Sequence, residues 1–273
     1  MQIVSGGVTD QGRVRTNNED SFRIVEPLNL FVLSDGMGGE AHGEIASSMA
    51  VETVVKCCSA PEESRDESNA TRHGTASDNW SRQTTLLRNA VLQANINIYQ
   101  SAQKYPEQRG MGATLTAGWI NGNQLSLAHV GDSRAYLLRM GSLQQLTNDH
   151  SLVAEQVRRG MLTPQQAEES DMQSVLLRAL GANPEVDVEM DEISLMPRDV
   201  LLFCSDGLTR LVTEPEIAGN LQAETDPHAA AQRLVDLANE RGGVDNITVV
   251  VARLQDEPKG WFSWLRLDTG KKE

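Results

Sequence analysis

The sequence predicts an α+β fold in which two packed antiparallel β-sheets are flanked by antiparallel helix pairs, a four-layer αββα sandwich. Three observations lead there. Strand-like runs come as hairpins, most plainly where residues 114–120 and 124–130 flank Asn121-Gly122, a dipeptide suited to a tight mirror-image turn. Helix-period segments come in two groups with strands between them. The regular strand–helix alternation of a parallel sheet is missing, which disfavours a Rossmann sheet or a TIM barrel.

The elements follow in order. Residues 2–8, 21–25 and 28–34 are short β-rich runs. Ile45, Met49, Thr53 and Cys57, with Ala46, Ala50 and Val54, recur at helical spacing. A second helix is expected over 82–103 through Leu87, Ala90, Val91, Ala94, Ile98 and Ala102. Residues 59–81 between them are polar and without period, as in a surface loop. A second hairpin joins 135–140 to 143–146 across Gly141-Ser142. Asp149 precedes a helix at Leu152-Val153, and Thr163-Pro164-Gln165-Gln166 reads as a capping box with proline at the first helical position. Residues 186–190 and 199–204 return to strand, Thr213 to Glu216 and Asp226-Pro227 open two more helices, and 246–254 is a last buried strand. One domain over 1–254 and a C-terminal tail over 255–273 are expected, the tail carrying Trp261, Phe262, Trp264 and Leu265.

With 273 residues, the chain is long enough to bury a full core without disulfide or metal staples. Its net charge of −14 argues against a broad nucleic-acid face, which would be basic. No apolar run approaches the ~20 residues that span a bilayer. Three cysteines, two of them adjacent, build neither a disulfide framework nor a zinc site, as expected of a reduced, cytoplasmic chain.

The acidic excess is patterned. Residues 30–34 run into Asp35-Gly36, 200–205 into Asp206-Gly207, and 125–130 into Gly131-Asp132-Ser133; Asp245 stands just before the last strand. One Asp-Gly by itself marks a turn. Four strand-end carboxylates, with Glu19-Asp20 besides, would repel strongly if they converged, so a positive group must sit among them. Hard divalent cations with oxygen ligands, Mg²⁺ or Mn²⁺, answer that need.

These residues also fall into a known order. The run from Gly12 to Asp20 (GRVRTNNED), Ser34-Asp35-Gly36-Met37-Gly38-Gly39, Met111-Gly112-Ala113-Thr114, the run from Val130 to Tyr136 (VGDSRAY), Asp149-His150-Ser151, Leu180-Gly181, Cys204-Ser205-Asp206-Gly207 and Val244-Asp245-Asn246-Ile247-Thr248 resemble the successive motifs of the metal-dependent protein Ser/Thr phosphatases, the PP2C family. The likeness runs from about residue 2 to 254. It implies that Asp35 bridges two metals, with Asp206 and Asp245 completing the first site and Glu19 and the Gly36 carbonyl serving the second. Asp132, with Asp206, would hold a third, weaker metal, and Arg15 would clamp the substrate phosphate through its planar fork. Asp35, Asp206 and Arg15 would be the catalytic set. The implied substrates are phosphoserine and phosphothreonine proteins, with a cognate Ser/Thr kinase as counterpart, and the implied working form is a monomer. Residues 151–170 would be the family's flap.

Two departures stand out. Met37 occupies the place of the animal members' histidine, as in bacterial relatives, and Glu40 follows Gly38-Gly39 where many of those relatives carry a histidine, leaving His42 the nearest. The general acid is open between His42 and water. His129 reads as a satisfied, partly buried strand histidine, His150 as structural, and His73 and His228 as solvated. A rival scheme reads the run from Cys204 to Arg210 (C-x-x-G-x-x-R) as the phosphate loop of a cysteine phosphatase, but Asp206 would put a negative charge inside an anion cradle. A phosphoprotein-binding module without activity is a second rival, disfavoured by the full ligand set. A calcium-binding domain is a third, and no EF-hand loop is present.

Overall fold

The computed structural model describes residues 1–38, 42–60 and 80–256. Most of the loop expected over 59–81, His73 within it, nearly all of the tail over 255–273, and Gly39 and Glu40 lie outside the described residues.

Every sheet neighbour is antiparallel. In one sheet the order is β1 (Gln2–Asp10), β11 (Ile247–Gln255), β10 (Val200–Cys204), β7 (Arg134–Arg139) and β8 (Ser142–Gln145). In the other it is β2 (Asp20–Val25), β3 (Leu30–Met37), β5 (Leu115–Asn121), β6 (Gln124–Val130) and β9 (Glu189–Ser194), with the short β4 (Gly112–Ala113) paired to the end of β3. Helices α1 (His42–Ser59) and α2 (Arg82–Lys104) cover the second sheet. Helices α6 (Glu214–Ala223) and α7 (Pro227–Glu240) cover the first. Between the covers run three short helices, α3 (Leu152–Arg158), α4 (Pro164–Glu168) and α5 (Asp206–Thr209).

Strand alternation explains the four layers. On β3, Leu30 and Val32 face the α1–α2 layer while Phe31 and Leu33 face the opposite sheet. On β10, Val200, Leu202 and Cys204 face α7 while Leu201 and Phe203 point inward. Phe31 and Phe203 stack between the sheets with ring centroids 5.9 Å apart. Both faces of these strands are apolar, so the carboxylates appear only where the strands run out, at one end of the sandwich. That end is where the site forms.

Several boundaries differ from expectation for identifiable reasons. Pro27 turns Glu26–Leu28 into a single 3-10 turn closed by Asn29 at φ 50°, so β3 starts at Leu30. The first hairpin turns on Gly122-Asn123, because Asn121 pairs with Gln124. The second turns on Met140-Gly141, both left-handed at φ 51° and 85°. The strand expected over 186–190 is β9, set by its register on β6 that begins at His129 opposite Glu189. Val186 and Val188 instead pack on the helix-side core. Helix α3 is capped by Ser151, whose Oγ accepts the Ala154 N–H. Asp149 instead forms a forked ion pair with Arg134. The capping box at Thr163 forms as read, and the helices expected from Thr213 and Asp226 open with a second capping box and an aspartate cap.

Candidate metal centre

A cleft of about 470 Å³ opens at the strand ends, lined by Arg15, Glu19, Asp35, Gly36, Asp132, Asp206 and Asp245 together. These seven come from separate segments: the loop before β2, the end of β3, the β6–β7 turn, the start of α5 and the residue pair before β11. All the site residues expected from the sequence thus reach one cavity.

Each is placed by its neighbours. Asp35 sits in β3 opposite Asp20 of β2, and its backbone is held twice by Thr114: the Thr114 N–H donates to the Asp35 carbonyl, and the Asp35 N–H donates to Thr114 Oγ1. Thr114 Oγ1 also shares a 2.8 Å hydrogen bond with Ser133 Oγ, tying the β3 end to the turn that carries Asp132. Gly36 lies where three backbones cross: a Cβ there would stand 2.0 Å from the Gly43 carbonyl and 2.8 Å from that of Glu19, so only glycine fits. Gly207 is crowded alike, its would-be Cβ 2.0 Å from the Asn246 carbonyl, which lets α5 press against the end of β11. Asp245 accepts a fork from Arg15, at 2.8 Å from Nε and 2.9 Å from Nη2.

The electrostatics call for cations. Burial first, and then repulsion from Asp20, Asp206, Asp132 and Asp245, holds the Asp35 carboxyl well above the usual range. Burial and the Asp206 charge push Asp132 up to about 8. Burial likewise raises Asp206, against the pull of Arg210, and Glu19, against that of Arg15. Asp206 Oδ1 is buried with no hydrogen-bond partner. Among the described residues no three His, Cys, Asp or Glu side chains close on one point as they stand. Asp206 and Asp245 are turned instead onto Arg210 and Arg15. The donor set is nonetheless all oxygen and acidic, with more carboxylates than the two arginines neutralise, which fits hard divalent cations.

Residues that sequence reasoning passed over are part of the same end. Asn246 lines the cleft, and its side chain ties down the loop bearing Arg15 and Glu19. Asp20 lies behind the cleft, its Oδ2 taking hydroxyl donors from Ser205 at 2.8 Å and Thr248 at 2.6 Å; burial pushes it up to about 7. Arg210 was visible only as part of the rival cysteine loop, although its spacing of four from Asp206 on a helix was a usable signal. Cys204 is fully buried against α7, and burial pushes its thiol up to about 12, so it presents no nucleophile.

None of the described histidines lines the cleft. His42 starts α1. His129 is fully buried, not partly, with Thr116 and the Asn148 carbonyl as partners. His150 accepts the Gly131 N–H on Nδ1 and meets Glu189 on Nε2, a structural place.

Comparison with known proteins gives the class. The model of the protein phosphatase 2C family matches residues 11–240, and the chain belongs to that family. Among its relatives, the serine/threonine phosphatase stp of Listeria welshimeri is 36% identical over 255 residues, covering 92% of this chain and 96% of that protein. The serine/threonine protein phosphatase PstP of Mycobacterium tuberculosis is 37% identical over 254 residues, 92% of this chain and 45% of that longer protein. A crystal structure of the Mycobacterium tuberculosis phosphatase superposes with a TM-score of 0.82 at 36% identity, covering 94% of this chain and all of that one. A structure of the PstP catalytic domain in complex with two manganese ions superposes at 0.78 and 35% identity, covering 93% of this chain and 99% of that one.

Proposed function

We propose that this chain hydrolyses phosphoserine and phosphothreonine on proteins, at a centre of two Mn²⁺ or Mg²⁺ ions with a weaker third. The observation that carries the reading is the convergence of Asp35, Asp206, Asp245 and Glu19 in one cleft with Arg15 at its rim. In this reading Asp35 serves both tight ions, Asp206 and Asp245 complete one site, and Glu19 and the Gly36 carbonyl the other. Asp132 and Asp206 serve the weak one. When bound, paired cations of this kind acidify a water and neutralise phosphoryl oxygens.

The chain's own residues do the rest. Arg15, its side chain 54% exposed, leaves Asp245 to grip two phosphate oxygens with its fork. Asn246 keeps the loop bearing Arg15 in place. Ser174 and Leu176, just beyond the segment read as the flap, line the cleft where the peptide flanking the phosphate would lie. The catalytic unit is residues 1–254.

The partners that follow are a Ser/Thr kinase and its targets, and we assign the enzyme to a monomer in the cytoplasm. Its three cysteines, all free, suit a reducing compartment. Among the described residues no helix is long and apolar enough to cross a membrane.

Hydrolysis of p-nitrophenyl phosphate and of a phosphothreonine peptide, with Mn²⁺ and again with EDTA, tests this reading. Activity should require the metal, fall by about a hundredfold or more in Asp35→Asn, and survive in Cys204→Ser. Full activity in chelator that thiol alkylation abolishes would overturn it in favour of the cysteine scheme.

A further inference from the structure

Two arginines sit on the carboxylates of the cleft, and they are held differently. Arg15 comes from a loop and is more than half exposed. Arg210 stands one helical turn after Asp206 on α5, and its backbone N–H donates to the Asp206 carbonyl at 2.9 Å. Its Nη2 bonds Asp206 Oδ2, and its Nη1 lies 3.6 Å from Asp245 Oδ2. The side chain is only 28% exposed. Because the same turn of backbone carries both partners, this guanidinium cannot leave the neighbourhood of Asp206 as Arg15 can leave Asp245.

The two oxygens of Asp206 are therefore unequal. Oδ2 is committed to Arg210, whereas Oδ1 is buried without a partner. A carboxylate can serve two cations by presenting one oxygen to each. Asp132, the other residue expected at the weak site, has no basic side chain of its own on the β6–β7 turn before Arg134, which is engaged by Asp149. Its one cationic neighbour among the charges that act on it most strongly is Arg210.

Resting on the metal-centre reading above, we propose that Arg210 is an internal competitor for the weak cation. Its guanidinium holds Asp206 Oδ2 and so withdraws one of the two Asp206 oxygens from a cation shared with Asp132. The weakness of the third site is then a property of an ion pair within this chain.

Mn²⁺ binding to the full chain, first stripped with chelator, separates the cases when free Mn²⁺ is counted by its electron paramagnetic resonance signal. The wild type should take two ions tightly and one weakly. Arg210→Gln should tighten the weak site by about tenfold, and by more than it tightens the pair that shares Asp206 and Asp245. Adding Asp132→Asn to Arg210→Gln should abolish that gain. Arg210→Lys, which keeps the charge but not the fork, should lie between wild type and the glutamine variant. A folded Arg210→Gln whose weak site is unchanged or weaker overturns the proposal, as does a gain that persists without Asp132. If the glutamine variant does not fold, a lysine variant that binds the third ion no more tightly than wild type overturns it too. A wild type that binds no Mn²⁺ at all overturns the metal-centre reading itself, a result distinct from two tight ions with an unaltered third.

Discussion

Asn246 Oδ1 accepts the backbone N–H of Glu19 at 2.8 Å, joining the residue beside Asp245 to a carboxylate 227 positions earlier in the chain. The amide of the same side chain donates to the carbonyls of Gln11 and Asn17 at 2.9 and 2.8 Å. One asparagine thus fixes both ends of the loop that presents Arg15, and it does so from the foot of β11. The loop has little core of its own, so these bonds decide where its guanidinium and its carboxylate point.

Asn246→Ala should therefore cost more in activity than in fold. Stripping three bonds from partly buried backbone groups should lower unfolding free energy by about 1–3 kcal/mol. Misplacing two site residues should reduce kcat/KM by about a hundredfold. Denaturant melts in EDTA beside phosphopeptide kinetics measure both. A variant as active as wild type would show that the loop is positioned by something else.

At Arg15 the expected split is between binding and chemistry. In the proposed role its fork would meet the phosphate in the ground state, so Arg15→Ala should raise KM more than it lowers kcat. A kcat lower by orders of magnitude at fixed KM would place Arg15 on the transition state instead.

The buried carboxylates make a pH prediction for the metal-free chain. Asp20 is raised to about 7 and Asp132 to about 8 by burial, so the folded state holds protons that the unfolded chain releases near 4. The sign follows directly. The stabilising contribution of these groups is complete below the unfolded value and drains away as pH rises toward 8. In EDTA the melting temperature should drop between pH 5 and 8, and Mn²⁺ should restore more at pH 8 than at pH 6, because protons and cations compete for the same oxygens. A metal-free melting temperature that rises over this range would contradict the buried, repelling cluster.

Asp132→Ala should take up two ions as the wild type does and hydrolyse phosphopeptides poorly. Its fold should hold, since removing one carboxylate relieves repulsion. Calorimetric metal titration beside the peptide assay tests both halves, and wild-type turnover would make the third ion dispensable.

The layers were legible because unbroken apolar runs such as 30–33 and 200–204, bounded by turn signals, read as strands buried on both faces. The acidic cluster was legible because, although one strand-end aspartate can simply mark a turn, several in one chain share few reasons to recur. What escaped was set by long-range partners. Asp149 reads locally as a helix cap, yet Arg134 claims it and Ser151 caps the helix instead. The start of β9 depends on register with β6, which the run 186–190 does not encode. Asn246 escaped because its importance lies in which atoms it meets across the fold, whereas the spacing of four between Asp206 and Arg210 was a local signal left unread.

The stack of Phe31 on Phe203 lies four residues before Asp35 and three before Asp206, on two strands that belong to different sheets. At about 3.3 Å per residue, the backbone of Phe31 is some 13 Å along β3 from that of Asp35, and Phe203 stands one residue from the end of β10, just before Asp206 opens α5. Strands are stiff over that length, so the thickness of the oily layer between the sheets is carried to the cleft as the spacing between two of its carboxylates. The greasy interior is in this sense a gauge block. Trimming a ring deep in the sandwich would detune the span across which a phosphate is gripped while leaving every residue of the cleft unchanged.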